Sequence, residues 1–221
     1  LLVTEFSHMR ILRVLDVVFY QPMQRDGIVA TSELARIFPN LPRVIEVHAT
    51  LSEAMRRLRD EGPVIREIGD ILLARFDGEP GDHFREVVSG FCSSQSFGLQ
   101  LIRNKQRKEQ RFQYFMMEAE RNRECRRLQL KDLLVSEMQR LTKYPLLLEN
   151  IIKYTDDRVE REKLVVVREC CRLTLTSVNE GSEGDREQAA SGRLQLDTSS
   201  LERANNPVAF EFKVCGGRFQ P

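Results

Sequence analysis

The sequence of 221 residues has no tryptophan and few turn-forming residues, with 12 glycines and 8 prolines. An all-β chain of this length needs more turn residues, so the composition excludes that class. No run of about 18 apolar residues occurs, which excludes a membrane-spanning helix. The 34 lysines and arginines nearly cancel the 33 acidic residues, and the formal net charge is +1. Bulk charge therefore gives no support to nucleic-acid binding, and we expect no nucleic-acid partner.

Cysteine is also sparse and shows no pattern of metal ligands. The five cysteines are odd in number and irregularly spaced: Cys92, Cys125, Cys170, Cys171 and Cys215. This usage, with no signal-peptide pattern, predicts a reduced, cytoplasmic environment. The vicinal pair Cys170-Cys171 favours one cysteine packed in the core over a redox role. Because the chain opens inside an apolar pattern without methionine, we expect it to be a fragment of a longer protein.

What is present is helical periodicity along most of the chain. We predict an all-α fold, an elongated bundle of about six long helices, over residues 1–185. Pro22 is predicted to end the first helix, and residues 77–82 are the clearest turn cluster. One long helix is predicted over residues 128–155, kinked at Pro145. The pattern fails after Asn179, where Gly181, Gly184 and Gly192 interrupt it, so residues 186–221 are predicted to form a linker.

Motifs for covalent or acid–base catalysis are missing. Neither a Gly-x4-Gly-Lys-Ser/Thr loop nor a GxGxxG motif occurs, so we expect no cofactor. His8, His48 and His83 lie far apart in the sequence without metal spacing, and each is predicted to be a surface or half-buried helix residue with no metal. If the domain accelerates a reaction, we expect it to do so by binding.

Glu5 is the first residue that departs from the periodic pattern. On a helix it continues the apolar stripe of Met9, Leu12 and Phe19 with a carboxylate. Two interpretations stay open: a solvated charge at an exposed helix end, or a charge displayed at the edge of a partner-binding surface.

The run from Gln139 to Leu148 is the second departure. Gln139 and Lys143, at i and i+4, share a polar face with Leu146 one turn further on, and Pro145 interrupts the same helix. A mixed polar and apolar face of this kind suits a docking surface, although an ordinary solvated face is the alternative.

Two groups of basic residues form the third departure. Arg126 and Arg127 precede the long helix and follow several acidic residues, which favours a solvated, charge-balanced turn on pattern alone. The basic run over residues 103–111 is typical of a solvated face, with a phosphate or lipid site as the alternative. It lacks the interleaved aromatic residues of a single-stranded nucleic-acid site.

Several motifs together resemble the Dbl-homology (DH) domain of Rho guanine-nucleotide exchange factors. They are Leu1-Leu2-Val3-Thr4-Glu5, Leu130-Lys131-Asp132-Leu133-Leu134, the Gln-Arg-x-x-Lys-Tyr-Pro-Leu-Leu-Leu run over residues 139–148, and Val178-Asn179-Glu180. Further stretches are similar to the subgroup that carries an RGS-homology domain: Ile68-Gly69-Asp70, Lys105-Gln106-Arg107-Lys108, and Cys125-Arg126-Arg127-Leu128-Gln129-Leu130.

This resemblance implies a helical module that binds a Rho-family small GTPase, with RhoA favoured. It implies that Glu5 engages switch I, and that Lys143 and Asn179, with Gln139 nearby, engage switch II. Arg126 and Arg127 are implied to meet acidic residues of RhoA. On this basis we expect Glu5→Ala and Lys143→Ala each to abolish most exchange and to leave the fold intact.

The resemblance also sets expectations for the rest of the protein. Residues 186–221 are implied to be a linker toward a PH domain that is absent or truncated. We therefore expect membrane association only through missing domains or the GTPase, with recruitment to the plasma membrane. Regulation of the full-length protein by heterotrimeric G-protein alpha subunits is also implied. The alternatives are a non-catalytic GTPase-docking module and a helical scaffold for a membrane or another partner. The glycines after Asn179 are expected to fray the last helix.

Overall fold

The computed structural model describes residues 1–62, 65 and 67–194, with the backbone alone for residues 61 and 181–194. These residues form α-helices with one π-helical segment and one 3-10 turn, and no strand occurs among them, so the predicted all-α fold is confirmed. The helices are α1 (Leu2–Val14), α2 (Gln21–Arg25), α3 (Thr31–Ile37), α4 (Leu41–Glu61), α5 (Gly69–Phe76), α6 (Gly78–Ser93), α7 (Gln95–Lys108), α8 (Gln110–Glu120), α9 (Leu130–Leu134), α10 (Ser136–Lys153) and α11 (Arg158–Leu194). The 3-10 turn covers Arg123–Cys125.

Residues 1–186 form one compact unit, to which all contacts below belong. Within it α1 packs on α4 and α10, α5 packs on α6, and α3 packs on α7. Apolar side chains from these helices fill a shared core that includes Leu12, Leu51, Phe84 and Leu148. The stripes of the sequence thus become the buried helix faces, as amphipathic periodicity requires.

The first helical run does not end at Pro22. A π-helical segment, Leu15–Tyr20, joins α1 to α2, and Pro22 lies in the first turn of α2. Proline is tolerated there because the first N–H groups of a helix have no partner within it. The run therefore continues to Arg25, and the expected end at Pro22 is wrong.

The predicted turn cluster over residues 77–82 is wrong for all but Asp77, because α5 ends at Phe76 and α6 begins at Gly78. Gly78 adopts a φ of 59°, in the left-handed region that favours glycine. Gly81 then lies so close to the preceding helix that an added Cβ would sit 2.2 Å from the carbonyl oxygen of Phe76. Two glycines therefore replace a longer loop with a sharp corner.

We expect Gly81→Ala to destabilise the domain by about 2 kcal/mol, because a backbone carbonyl has no room to move away from the new methyl group. Gly90→Ala, in the same helix, is the matched control, since its Cβ would meet only the side chain of Asn40 at 3.6 Å. Urea unfolding of both variants measures the difference. An equal free energy of unfolding for the two variants would contradict the tight corner.

The start of α5 depends on a side chain from α11. Glu160 is buried, and its Oε1 accepts hydrogen bonds from the backbone N–H groups of Ile68 and Gly69, each at 2.7 Å. These are donors that a helix start leaves unpaired. The helix begins at Gly69, directly at this carboxylate.

The segment predicted as one helix over residues 128–155 is two helices, separated at Val135. The hydroxyl of Ser136 donates to the carbonyl of Leu133 at 2.6 Å, and the amide of Gln95 donates to the carbonyl of Leu134 at 2.6 Å. These side chains take the place of backbone N–H donors at the two carbonyls, so the helical hydrogen-bond pattern can end here. Further on, α10 continues through Pro145, and a kink there stays a prediction.

The last helix does not stop after Asn179. It continues through Gly181, Gly184 and Gly192 to Leu194. Each glycine costs about 1 kcal/mol against alanine, but helix extension is cooperative, and good helix formers surround these positions. Most of the predicted linker lies outside the described residues, and its assignment stays a prediction.

Candidate functional site

Glu5 lies inside the domain, not at its surface. Its side chain is fully buried, and its carboxylate accepts hydrogen bonds from Nδ1 of His48 at 2.8 Å and from the hydroxyl of Tyr144 at 2.8 Å. Arg140 donates to the same carboxylate from Nε at 2.9 Å and from Nη2. The expected display of this charge at a partner-binding edge is therefore wrong, because helices α4 and α10 cover it.

A second buried carboxylate extends the cluster. Each carboxylate oxygen of Glu137 accepts one hydrogen bond. Oε1 accepts from Nε2 of His48 at 3.0 Å, and Oε2 accepts from Nε2 of His8 at 2.7 Å. All three side chains are buried. His48 thus bridges Glu5 and Glu137, and the six residues Glu5, His8, His48, Glu137, Arg140 and Tyr144 form what we call the buried ionic cluster. The expectation that His8 and His48 are surface or half-buried residues is wrong, whereas His83 is exposed.

The electrostatics of the cluster follow from its contacts. Burial alone would lower the pKa of His48, but the charges of Glu137 and Glu5 and their hydrogen bonds outweigh it and raise that pKa to about 10. Burial would raise the pKa of Glu5, yet the hydrogen bond from His48 and the charges of His48 and Arg140 lower it to about 2. Burial lowers the pKa of His8. Two carboxylates are therefore balanced by the His48 imidazolium and the Arg140 guanidinium.

We expect His48 to stay doubly protonated at pH 8, while His8 is neutral with its proton on Nε2. Long-range 1H–15N correlation spectra of the imidazole rings measure this directly. The contribution of His48 to stability is fully present below its unfolded pKa of about 6.5 and is lost as pH rises toward 10. That of Glu5 is present above about pH 4.5 and is lost as pH falls toward 2. A neutral His48 ring at pH 8 would overturn the assignment.

His8, His48 and Glu137 also bring potential metal-ligand atoms within 4.8 Å of one another. Their contacts are direct hydrogen bonds of 2.7 and 3.0 Å. Because both nitrogens of His48 face carboxylates, both carry protons, and neither has a lone pair for a metal. The trio therefore fits an ion-pair cluster better than a metal site.

The outer face of α10 lies directly above this cluster. Gln139 and Lys143 flank the buried Arg140 and are exposed, and Leu146, one turn further on, is 66% exposed. Gln139 and Lys143 line a groove between α1 and α10, which we call the α1/α10 groove, and Thr4 and Ser7 of α1 form part of its other wall. Arg140 donates to the hydroxyl of Thr4 at 2.9 Å, so the cluster also fixes this wall.

The arginine turn, defined as residues 122–127, lies after α8. Arg126 and Arg127 are exposed, with φ angles of 48° and 67°. The left-handed region costs a residue with a side chain about 1–2 kcal/mol, so two in succession need support from their surroundings. Cys125, directly before them, is buried.

Other candidate residues are placed differently. Asn179 is exposed on α11, next to buried Val178. Lys105, in the basic run, is buried and bonds Glu33 and Glu109, each at 2.8 Å, so that run is not one continuous solvated or phosphate-binding face. Cys171 is buried and Cys170 is partly exposed, which confirms that one of the pair packs in the core. Among the described residues, no helix is both long enough and apolar enough to span a bilayer.

Sequence reasoning missed His8, His48, Glu137, Arg140 and Tyr144, although a signal was present. His48 continues the α4 stripe of Val44, Leu51 and Met55, and Glu137 continues the α10 stripe of Leu141 and Leu148. Each is a polar residue on a buried face, as Glu5 is. Three such residues on three helices indicate that the polar groups pair with one another.

The fold and these contacts define an all-α domain built around a buried ionic cluster, with Gln139 and Lys143 exposed on α10. The model of the RhoGEF domain family matches residues 1–179, and the chain belongs to this family. The expected Dbl-homology domain is thereby confirmed.

Relatives and solved structures are similar over almost the whole chain. It is 56% identical over 216 residues to Rho guanine nucleotide exchange factor 11 of Rattus norvegicus, covering 96% of the chain and 14% of that relative. It is 48% identical to Rho guanine nucleotide exchange factor 1 of Homo sapiens, covering 96% of the chain and 24% of that relative. The crystal structure of human RhoA in complex with the DH/PH fragment of PDZRHOGEF matches with a TM-score of 0.85 and 54% identity, covering 93% of this chain and 59% of that one.

Proposed function

We propose that this domain is a guanine-nucleotide exchange factor for Rho-family GTPases, with RhoA as its preferred partner. Membership of the RhoGEF family over residues 1–179 carries the proposal. A homologous DH/PH fragment crystallised with human RhoA supports the choice of partner. The domain acts as a GTPase regulator in the cytoplasm and needs neither a cofactor nor covalent chemistry.

The contact surface that we propose has two parts. Gln139 and Lys143, on the exposed wall of the α1/α10 groove, and Asn179 on α11 engage switch II of the GTPase. Arg126 and Arg127 meet acidic residues of the GTPase at the arginine turn. Glu5 touches no partner: it positions Arg140 and Tyr144, which lie on the same helix as Gln139 and Lys143.

The mechanism follows from thermodynamic linkage. An exchange factor that binds the nucleotide-free GTPase more tightly than the loaded form must weaken nucleotide binding by the same factor. Contacts of Lys143 and Gln139 with the switch segments would favour the conformation in which GDP is held weakly. A surface already fixed by the buried ionic cluster loses less conformational freedom on binding, which leaves more of the binding free energy for this purpose.

The experiment is release of fluorescent GDP from RhoA, Rac and Cdc42 in the presence of the 221-residue chain. Faster release from RhoA than from the other two is expected. If the chain binds nucleotide-free RhoA without accelerating release, it is a docking module, and the exchange proposal is wrong. Binding to anionic vesicles that weakens steeply with salt, without binding to any of the three GTPases, would favour the helical scaffold.

A further inference from the structure

Contacts from neighbouring groups hold the arginine turn in place. Arg126 and Arg127 both have positive φ angles, so their backbone depends on neighbouring contacts for this conformation. Several of those contacts are local. The side chain of Asn122 accepts from the Glu124 N–H at 2.9 Å, and the Leu128 N–H donates to the Cys125 carbonyl at 2.8 Å.

A further contact reaches the turn from α1. Nη1 of Arg10 donates to the carbonyl oxygen of Glu124 at 2.8 Å, across 114 residues of sequence. This carbonyl lies two residues before Arg126, at the centre of the turn. A guanidinium holds an oxygen more firmly than a neutral donor does, because its hydrogen bonds are charge-assisted.

The same helix also forms a wall of the α1/α10 groove through Thr4 and Ser7. Thr4 is hydrogen-bonded to Arg140 at 2.9 Å, and Arg140 lies between Gln139 and Lys143. Helix α1 is therefore bonded at one point to the groove and at another to the arginine turn. The two parts of the proposed contact surface are both connected to this one rigid element.

We infer that Arg10 is a positioning residue for GTPase recognition: it fixes the arginine turn to α1 so that Arg126 and Arg127 meet the acidic surface of the GTPase while the groove engages the switches. The inference rests on the proposed function. It assigns to Arg10 no contact of its own with the GTPase. Its effect should therefore disappear when Arg126 and Arg127 are removed.

The test is a mutant cycle read out by RhoA exchange. Arg10→Met keeps the aliphatic stem and removes the donor, and we expect exchange to slow about tenfold. In the Arg126→Ala/Arg127→Ala background, Arg10→Met should slow exchange less than twofold further. Arg10→Lys should restore most of the rate, because a lysine ammonium can still donate to the Glu124 carbonyl.

The matched control is Arg13→Met. Arg13 is exposed one turn further along α1, and no hydrogen bond or ion pair joins it to another described residue. It should leave the rate within twofold of wild type. An equal loss for Arg13→Met, or a tenfold loss from Arg10→Met in the double-alanine background, would overturn the inference, since either would mean that general charge or direct contact is responsible.

Amide hydrogen exchange of residues 122–128 distinguishes failure of this inference from failure of the proposed function. Arg10→Met should speed hydrogen exchange at these amides, while amides in the rest of the domain keep their protection. If the hydrogen-exchange rates of these amides are unchanged in Arg10→Met, the positioning role is wrong, whatever the result of the GTPase assay. If hydrogen exchange of these amides is faster in Arg10→Met but the wild-type chain releases no GDP from RhoA, Arg10 still holds the turn, and its link to GTPase recognition is removed.

Discussion

Glu5→Ala is expected to lower the free energy of unfolding of the domain strongly. The change leaves the buried guanidinium of Arg140 without its carboxylate, and it removes an acceptor from Tyr144 and from His48. Breaking one side of a buried ion pair costs about 3–5 kcal/mol. Domains have a total stability of about 5–15 kcal/mol, so this loss takes a large share of it. Urea unfolding followed by circular dichroism measures it.

The matched control is Glu46→Ala, which removes a carboxylate from the exposed face of α4. It should change the free energy of unfolding by less than about 0.5 kcal/mol. A Glu5→Ala variant with the same urea midpoint as wild type would contradict a structural role for the cluster. This expectation replaces the sequence-based one, in which Glu5→Ala spares the fold.

Lys143→Ala is expected to slow RhoA exchange about 30-fold and to leave stability unchanged. Lys143 is exposed on α10, so truncation leaves no buried group without a partner. Residues that dominate an interface cost about 2 kcal/mol or more when truncated, which corresponds to about 30-fold. Fluorescent-GDP release and thermal unfolding, measured on the same samples, separate the two effects.

Lys153→Ala provides the comparison for this variant. Lys153 is an exposed lysine at the end of the same helix, ten positions away, so net charge and helix composition change equally. Its exchange rate should stay within twofold of wild type. If both variants lose activity to the same degree, the effect belongs to overall charge, and Lys143 has no specific contact with the GTPase.

The helix pattern could be predicted from the sequence because apolar periodicity marks the buried faces. Helix boundaries are harder to predict from the sequence where a distant side chain decides them. Gln95 helps to end α9 by bonding the Leu134 carbonyl, and Glu160 from α11 holds the start of α5. Local sequence cannot report such contacts, because the partners are 39 and 91 positions away.

The candidate site can likewise be predicted only where local spacing is sufficient. Gln139 and Lys143 could be placed on an outer face because their spacing alone puts them there. The sequence alone predicts a surface position for Glu5, because its partners, His48 and Arg140, belong to other helices. The sequence does place Glu5 on an apolar stripe, but only the fold shows that buried hydrogen-bond donors meet its carboxylate there.

The buried ionic cluster has a consequence for how such domains diverge in evolution. Each of its carboxylates serves several donors, so a substitution at one position leaves groups on other helices unpaired. A single substitution in the cluster is expected to give a destabilised protein. Its six members should therefore change together or stay fixed. Gln139 and Lys143 carry no such constraint, so lineages can acquire new partners there while they inherit the same interior.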